Sequence, residues 1–154
     1  MFESMKTEET VEPTDTKTKI LRLLNKANDY IWMSTGLNKD FYNDIEVKNA
    51  MLASFDKVKQ IRILIDGDAQ SKKKELSWLF ESAKVHKGKI QIKQTEDILH
   101  WIISDGKHFR LEKPHELGTI GMNNLFVCDV EPPAISEILM AKFNSWWIVA
   151  KTVD

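Results

Sequence analysis

The chain has 154 residues, 42% of them hydrophobic and 29% charged, with a formal net charge of −1. That is enough for one domain with a real core. The near-neutral balance excludes a global field that would draw the whole molecule onto nucleic acid or an anionic membrane. A single cysteine, Cys128, excludes an intramolecular disulfide and suits a reducing compartment. No apolar run approaches the roughly 18 residues of a membrane span, and the first residues lack the basic start and apolar core of a signal peptide. These features predict a cytoplasmic protein without membrane attachment.

Residues 1–14 are rich in Glu and Thr and read as a disordered acidic tail, too short for a helix-turn-helix. Residues 15–154 read as one α/β domain. Thr14-Asp15 is placed to cap a helix from about Thr16 to Asn28, whose apolar face is Ile20, Leu21, Leu23, Leu24 and Ala27. Tyr30–Thr35 follows as a short buried strand, Gly36–Asp40 as a loop, and Phe41–Val58 as a second helix facing inward with Val47, Met51 and Phe55. Gln60–Asp66 is the next strand, and Ala69–His86 a third helix with Leu76, Leu79, Phe80 and Ala83 as its stripe. Lys89–Lys93 alternates as a strand. Beyond Pro114, Glu116–Asn124 is a loop, and Leu125–Val130 a strand that buries the Cys128 thiol. Pro132-Pro133 opens a last helix to about Ala150, with proline in its first turn.

The remaining stretch, Asp97–Pro114, has two β-prone runs, Ile98–Ile103 and Phe109–Leu111, around Ser104-Asp105-Gly106-Lys107-His108. Asp-Gly between such runs is a strong hairpin signal, because the turn needs positive φ. Strands that alternate with helices early and form a meander late predict a mixed sheet. It should be parallel first, antiparallel at the end, and covered by helices on both faces.

The hairpin resembles the catalytic strand of the phospholipase D superfamily, which reads His-x-Lys, four residues, then Asp, often with Gly. Set on Asp105-Gly106, the nucleophilic histidine of the family falls on Ile98 and its lysine on His100. The resemblance implies a phospholipase D-like half-domain whose chemistry has been removed. In the family, two half-domains meet and each contributes a histidine, so a single half implies a homodimer. Ile98 has no lone pair to attack phosphorus. His100 stands two residues along the strand, about 6.5–7 Å away, too far for an unchanged mechanism. The implied protein is not an enzyme, and weak phosphodiesterase activity is the minor alternative.

A narrower resemblance rests on Trp101, Ser104-Asp105-Gly106, Arg110-Leu111-Glu112 and Phe143-Asn144-Ser145-Trp146-Trp147. Together these are similar to the C-terminal effector domain of archaeal TrmB-like transcriptional regulators, without a winged-helix segment. It implies ligand sensing, dimerisation or regulatory protein interaction. The expected ligand site is Ser34 and Thr35 at the end of the first strand with His100, Asp105, Arg110 and Glu112 around the hairpin. Hydroxyls, carboxylates and a guanidinium suit a small polar ligand, a sugar or an anion. His108, Arg110 and Glu112 share one face of the second hairpin strand by period-two alternation. Phe143, Trp146 and Trp147 are the expected dimer interface, since neighbouring tryptophans point about 100° apart on a helix. Lys72, Lys73, Lys74, Lys87 and Lys89, in a Lys72–Lys93 segment that also holds Lys84 and Lys93, form the basic patch of a nucleic-acid alternative, although no aromatic platform is interleaved. The four histidines show no metal-ligand spacing, so no metal or cofactor is expected.

Overall fold

The computed structural model describes residues 13–119, 121 and 123–154, with side chains from residue 16 onward except those of residues 123 and 124. Most of the expected acidic tail therefore lies outside the described residues. Helix α1 spans Pro13–Lys26, so it starts three residues before the expected Thr16 and takes in the expected cap, Thr14-Asp15. Strands β1 (Tyr30–Thr35), β2 (Gln60–Asp66) and β3 (Ile90–Thr95) run parallel. Strands β4 (Trp101–Ser104), β5 (His108–Glu112) and β6 (Asn123–Val127) form an antiparallel meander on the other edge of β1. With the two-residue β7 (Lys151–Thr152), the sheet order among the described residues is β6-β5-β4-β1-β2-β3-β7. This is the expected mixed α/β sheet with an antiparallel late meander.

Alternation divides the core in two. Ile31 and Met33 of β1, Ile61, Ile63 and Ile65 of β2, Ile90 and Ile92 of β3 and Ile102 of β4 meet α1 and the crossover helices. Leu64, Trp101, Ile103, Phe109 and Val127 face the opposite way, onto Leu139, Phe143 and Trp147 of the last helix, α6 (Ile135–Val149). Helices thus cover both faces, as expected. Among the described residues, no helix is long and apolar enough to cross a membrane.

Both expected crossover helices are broken. The first divides into α2 (Lys39–Tyr42) and α3 (Ile45–Lys57) because Asp44 caps the second piece, accepting from the N–H groups of Glu46 and Val47. The second divides into α4 (Ala69–Glu75) and α5 (Ser77–Val85) at Leu76, which leaves helical geometry (φ −129°, ψ 48°) and is fully buried. The Asn43 amide holds the break, donating to the Glu75 carbonyl at 3.0 Å and accepting from the Trp78 indole at 2.9 Å. Pro132 and Pro133 precede α6 rather than forming its first turn, and the Pro133 carbonyl takes both the N–H and the hydroxyl of Ser136.

The expected interface also needs correction. Phe143 is 0% and Trp147 5% exposed, because Trp32, Phe143 and Trp147 stack in series, at 5.3 and 5.8 Å between centroids. The Arg62 guanidinium lies over Trp32 and Trp147, at 4.9 and 5.2 Å. Both aromatics are core. Only Trp146 stays partly exposed, tilted on Trp101 at 4.9 Å. The large exposed apolar side chains of α6 are Ile138, Ile148 and Val149.

Candidate functional site

The sheet changes from parallel to antiparallel between β1 and β4, which is where open α/β sheets form crevices at strand carboxyl ends. A cavity of about 30 Å³ lies there. Its walls are Thr16 and Ile20 of α1, Thr35–Asn38 after β1, Phe41 and Tyr42, His100, Glu112, and His115, Gly118, Thr119 and Gly121 of the β5–β6 loop. That volume holds about one water and no sugar.

Hairpin register builds the site. Trp101 opposes Leu111, so His100 just ahead of β4 meets Glu112 at the end of β5, and the Glu112 N–H donates to the His100 carbonyl at 3.0 Å. Glu112 is the hub. Its Oε2 accepts from Arg110 Nη1 at 2.7 Å, while its Oε1 lies 2.7 Å from His115 Nε2 and 3.4 Å from His100 Nδ1. His100 Nε2 lies 2.8 Å from Oδ2 of Asp66, the last residue of β2. His115 Nδ1 lies 2.8 Å from the Glu116 carbonyl and 2.9 Å from the Thr119 hydroxyl. Arg110 is fully buried, and its Nη2 donates to Thr16 Oγ1 at 3.2 Å and the Gly121 carbonyl at 2.9 Å. The guanidinium thereby ties α1, β5 and the loop together.

Opposite charges decide the protonation of this cluster. Burial pushes the Glu112 carboxyl up, but the hydrogen bonds from His100 and His115 and the charge of Arg110 outweigh it, holding the group well below the usual carboxylate range. Burial opposes the charged form of His100, yet the bonds to Glu112 and Asp66 carry its pKa upward. The bond to Glu112 raises that of His115 as well. Beside them, burial pushes the Tyr42 hydroxyl up to about 12, although it accepts a 3.4 Å bond from Thr35.

Of the expected ligand residues, the structure brings together Thr35, His100, Arg110 and Glu112. Ser34 and Asp105 do not join them. The Ser34 hydroxyl donates to the Leu99 carbonyl at 2.8 Å and accepts from the Trp101 N–H at 3.0 Å, fixing the entry to β4. Asp105 lies five residues past His100, about 16 Å along an extended chain. Its carboxylate accepts from the N–H groups of Asn28, Asp29 and Tyr30 at 3.0, 2.7 and 3.0 Å. It clasps the hairpin turn to the start of β1. Ile98 is 8% exposed and packs in the α6 core layer. His108 accepts from the Asp129 N–H at the far end of β5.

Sequence reasoning missed Asp66, His115 and Thr16. A signal for His115 was present in Glu112-x-x-His115, where two ligand-type side chains stand three apart. Asp66 and Thr16 come from other elements, and only tertiary packing delivers them. The basic segment is partly spent on the fold: Lys72 pairs with Glu75 at 3.3 Å, Lys89 donates to the Phe55 carbonyl at 2.7 Å and Lys93 to the Trp147 carbonyl at 2.9 Å.

No family model matches the sequence, and no curated protein sequence does. Solved structures do match. TrmBL2, an archaeal chromatin protein described with a novel mode of DNA binding, superposes with a TM-score of 0.71 at 15% identity, covering 96% of this chain and 54% of TrmBL2. The chain therefore spans about half of that protein's length. Nuc, a phospholipase D family member from Salmonella typhimurium, superposes at 0.67 and 13% identity over 97% of this chain and 98% of Nuc. NucT from Helicobacter pylori gives 0.63 and 13%, over 97% and 99%. The chain has the phospholipase D-like fold, shared with the phospholipase D family member Nuc and with TrmBL2.

Proposed function

We propose that this chain is a non-catalytic phospholipase D-like module acting in regulation by binding, with a second copy of itself as partner. One observation carries the reading. The position that attacks phosphorus in the family is Ile98, buried in the α6 core layer, and the polar groups at that end of the sheet are bound to one another. A buried aliphatic side chain can neither attack nor protonate a phosphodiester, and losing a covalent nucleophile removes on the order of 10³-fold or more of the rate. The likeness to TrmBL2, a chromatin protein with a mode of DNA binding, supports a role in binding. The cavity argues against the expected sugar. Pairing falls to surface outside Phe143 and Trp147, with Trp146 the surviving member of the expected interface.

The test is hydrolysis of bis(p-nitrophenyl) phosphate and of single-stranded DNA by the purified chain, with sedimentation to read its mass. The expected result is no turnover above buffer and a dimer. Turnover that His100→Gln abolishes would establish a residual phosphodiesterase and overturn the reading.

TrmBL2 favours a second reading, DNA binding through the basic segment. Lys73, Lys74, Lys84 and Lys87 carry it, because Lys72, Lys89 and Lys93 are engaged within the fold. Its mark is affinity that falls steeply with salt and weakens in Lys84→Ala/Lys87→Ala.

A further inference from the structure

We propose that His100, Glu112 and His115 form a binding site for one divalent transition-metal ion, zinc in the first place. His100 Nε2 faces a carboxylate, Asp66, and His115 Nδ1 faces a backbone carbonyl, that of Glu116. Neither partner can donate, so each outer nitrogen carries the N–H. In the neutral rings, the lone pairs of His100 Nδ1 and His115 Nε2 are then left facing Glu112 Oε1. The three ligand atoms lie within 4.8 Å of one another, and all three are acceptors. Acceptors do not converge stably unless a positive centre lies between them, either protons or a cation.

The distances and the surroundings suit a cation. Tetrahedral zinc with bonds of about 2.0–2.2 Å sets neighbouring ligand atoms roughly 3.3–3.5 Å apart. The His100–Glu112 separation is 3.4 Å. The His115–Glu112 separation is 2.7 Å and opens when the ion replaces the shared proton. His115 sits on the β5–β6 loop, where that small movement is absorbed. Each ligand also has the outer partner that metal sites use to fix orientation: Asp66 behind His100, the Glu116 carbonyl and Thr119 behind His115, Arg110 behind Glu112. Two imidazoles and a carboxylate favour zinc or its neighbours over calcium or magnesium, which take oxygen. Three protein ligands leave a fourth position toward the cavity, whose volume holds about one water. The ion would staple the loop to the ends of β2, β4 and β5. The inference stands apart from the regulatory reading, and absence of turnover leaves it untouched.

The experiment is equilibrium dialysis of chelator-stripped protein against Zn²⁺, with Co²⁺ absorption as a second readout. One Zn²⁺ per chain is expected. His115→Gln should weaken binding on the order of 100-fold and abolish the visible Co²⁺ bands, and Asp66→Asn should weaken it about 10–100-fold. Asp66 is not itself a ligand but orients His100, so Asp66→Asn keeps the test open if His115→Gln fails to fold. Cys128→Ser is the control, because His108, Cys128 and Asp129 also stand close together. It should leave stoichiometry and affinity unchanged. No uptake at micromolar Zn²⁺, or uptake lost with Cys128 and kept in His115→Gln, overturns the proposal.

Discussion

Removing the half-buried Asp105 side chain should unfold this protein more readily than removing any exposed carboxylate. The residue has φ +58°, in the left-handed region, and its carboxylate accepts from three successive backbone N–H groups, those of Asn28, Asp29 and Tyr30. Two costs therefore fall on Asp105→Ala. Alanine at positive φ costs about 1–2 kcal/mol. Hydrogen bonds to a charged group are worth about 1.5–3 kcal/mol each when buried. Here two of the three N–H groups are exposed and regain water, so we take the loss of the clasp as about 1–2 kcal/mol in total. The sum is about 2–4 kcal/mol for Asp105→Ala. Asp105→Gly restores the backbone freedom and keeps only the lost clasp, so it should be about 1 kcal/mol less harmful than alanine. Asp105→Asn keeps one oxygen facing Asp29 and Tyr30 and tolerates positive φ, so about 1 kcal/mol is expected. Urea denaturation followed by tryptophan fluorescence gives the series, read as midpoint shifts at constant slope. Equal stability of Asp105→Ala and the parent chain, or glycine costing more than alanine, would refute this reasoning.

Gly121 carries a second prediction. A Cβ built there would fall on the Glu112 carboxylate, so Gly121→Ala should displace the hub of the cluster. The expected cost is about 1–3 kcal/mol, read as a lowered thermal midpoint, where Gly118→Ala, with open space around it, shows only its backbone strain. The third concerns pH. Asp129 pairs with Lys26 at 2.8 Å and Arg22 at 3.1 Å, and the bond from Lys26 foremost lowers its pKa from 3.8 to about 2. A depressed carboxyl stabilises the fold above its unfolded value and loses that contribution as pH falls through the folded one. Asp129→Asn should therefore be less stable than the parent chain at pH 6, and the difference should shrink between about pH 4 and pH 2. A difference that persists at pH 2 in urea melts would show that the asparagine does harm by some route other than charge.

Local patterns made the architecture readable and left the site half-visible. The β-prone runs Tyr30–Thr35 and Gln60–Asp66, the period-two alternation of Lys89–Lys93 and the Asp-Gly turn each act over a few residues, so strands and hairpin were legible. The helix breaks were harder. Asp44 was readable as a cap, but Leu76 leaves the helix because Asn43 can bridge Glu75 and Trp78 across the break, a contact between distant residues. Period two also placed Arg110 and Glu112 on one face of β5. It could not supply Asp66 or Thr16, which reach the cluster from β2 and α1. Nor could it reveal that Asp105, which looks like a motif residue, spends its carboxylate on the start of β1. The adjacent Trp146 and Trp147 point to a surface on α6, because two neighbouring tryptophans are hard to bury together. Arg62 and Trp32 solve that by stacking on Trp147 and Phe143 from the sheet.

The place of β4 beside β1 has a consequence for synthesis. A growing chain completes β1, β2 and β3 and the helices between them while one edge of β1 still lacks its partner, because Trp101–Ser104 arrives about 70 residues later. Until then the Ile31–Ser34 backbone offers open hydrogen-bonding groups on a parallel sheet, the kind of exposed edge that templates aggregation. The clasp of Asp105 on residues 28–30 and the anchoring of Arg110 on Thr16 close at the same late moment. Folding should therefore finish in one late, slow step, and a ribosome-stalled chain ending before residue 100 should be digested by protease at β1 while the released chain resists.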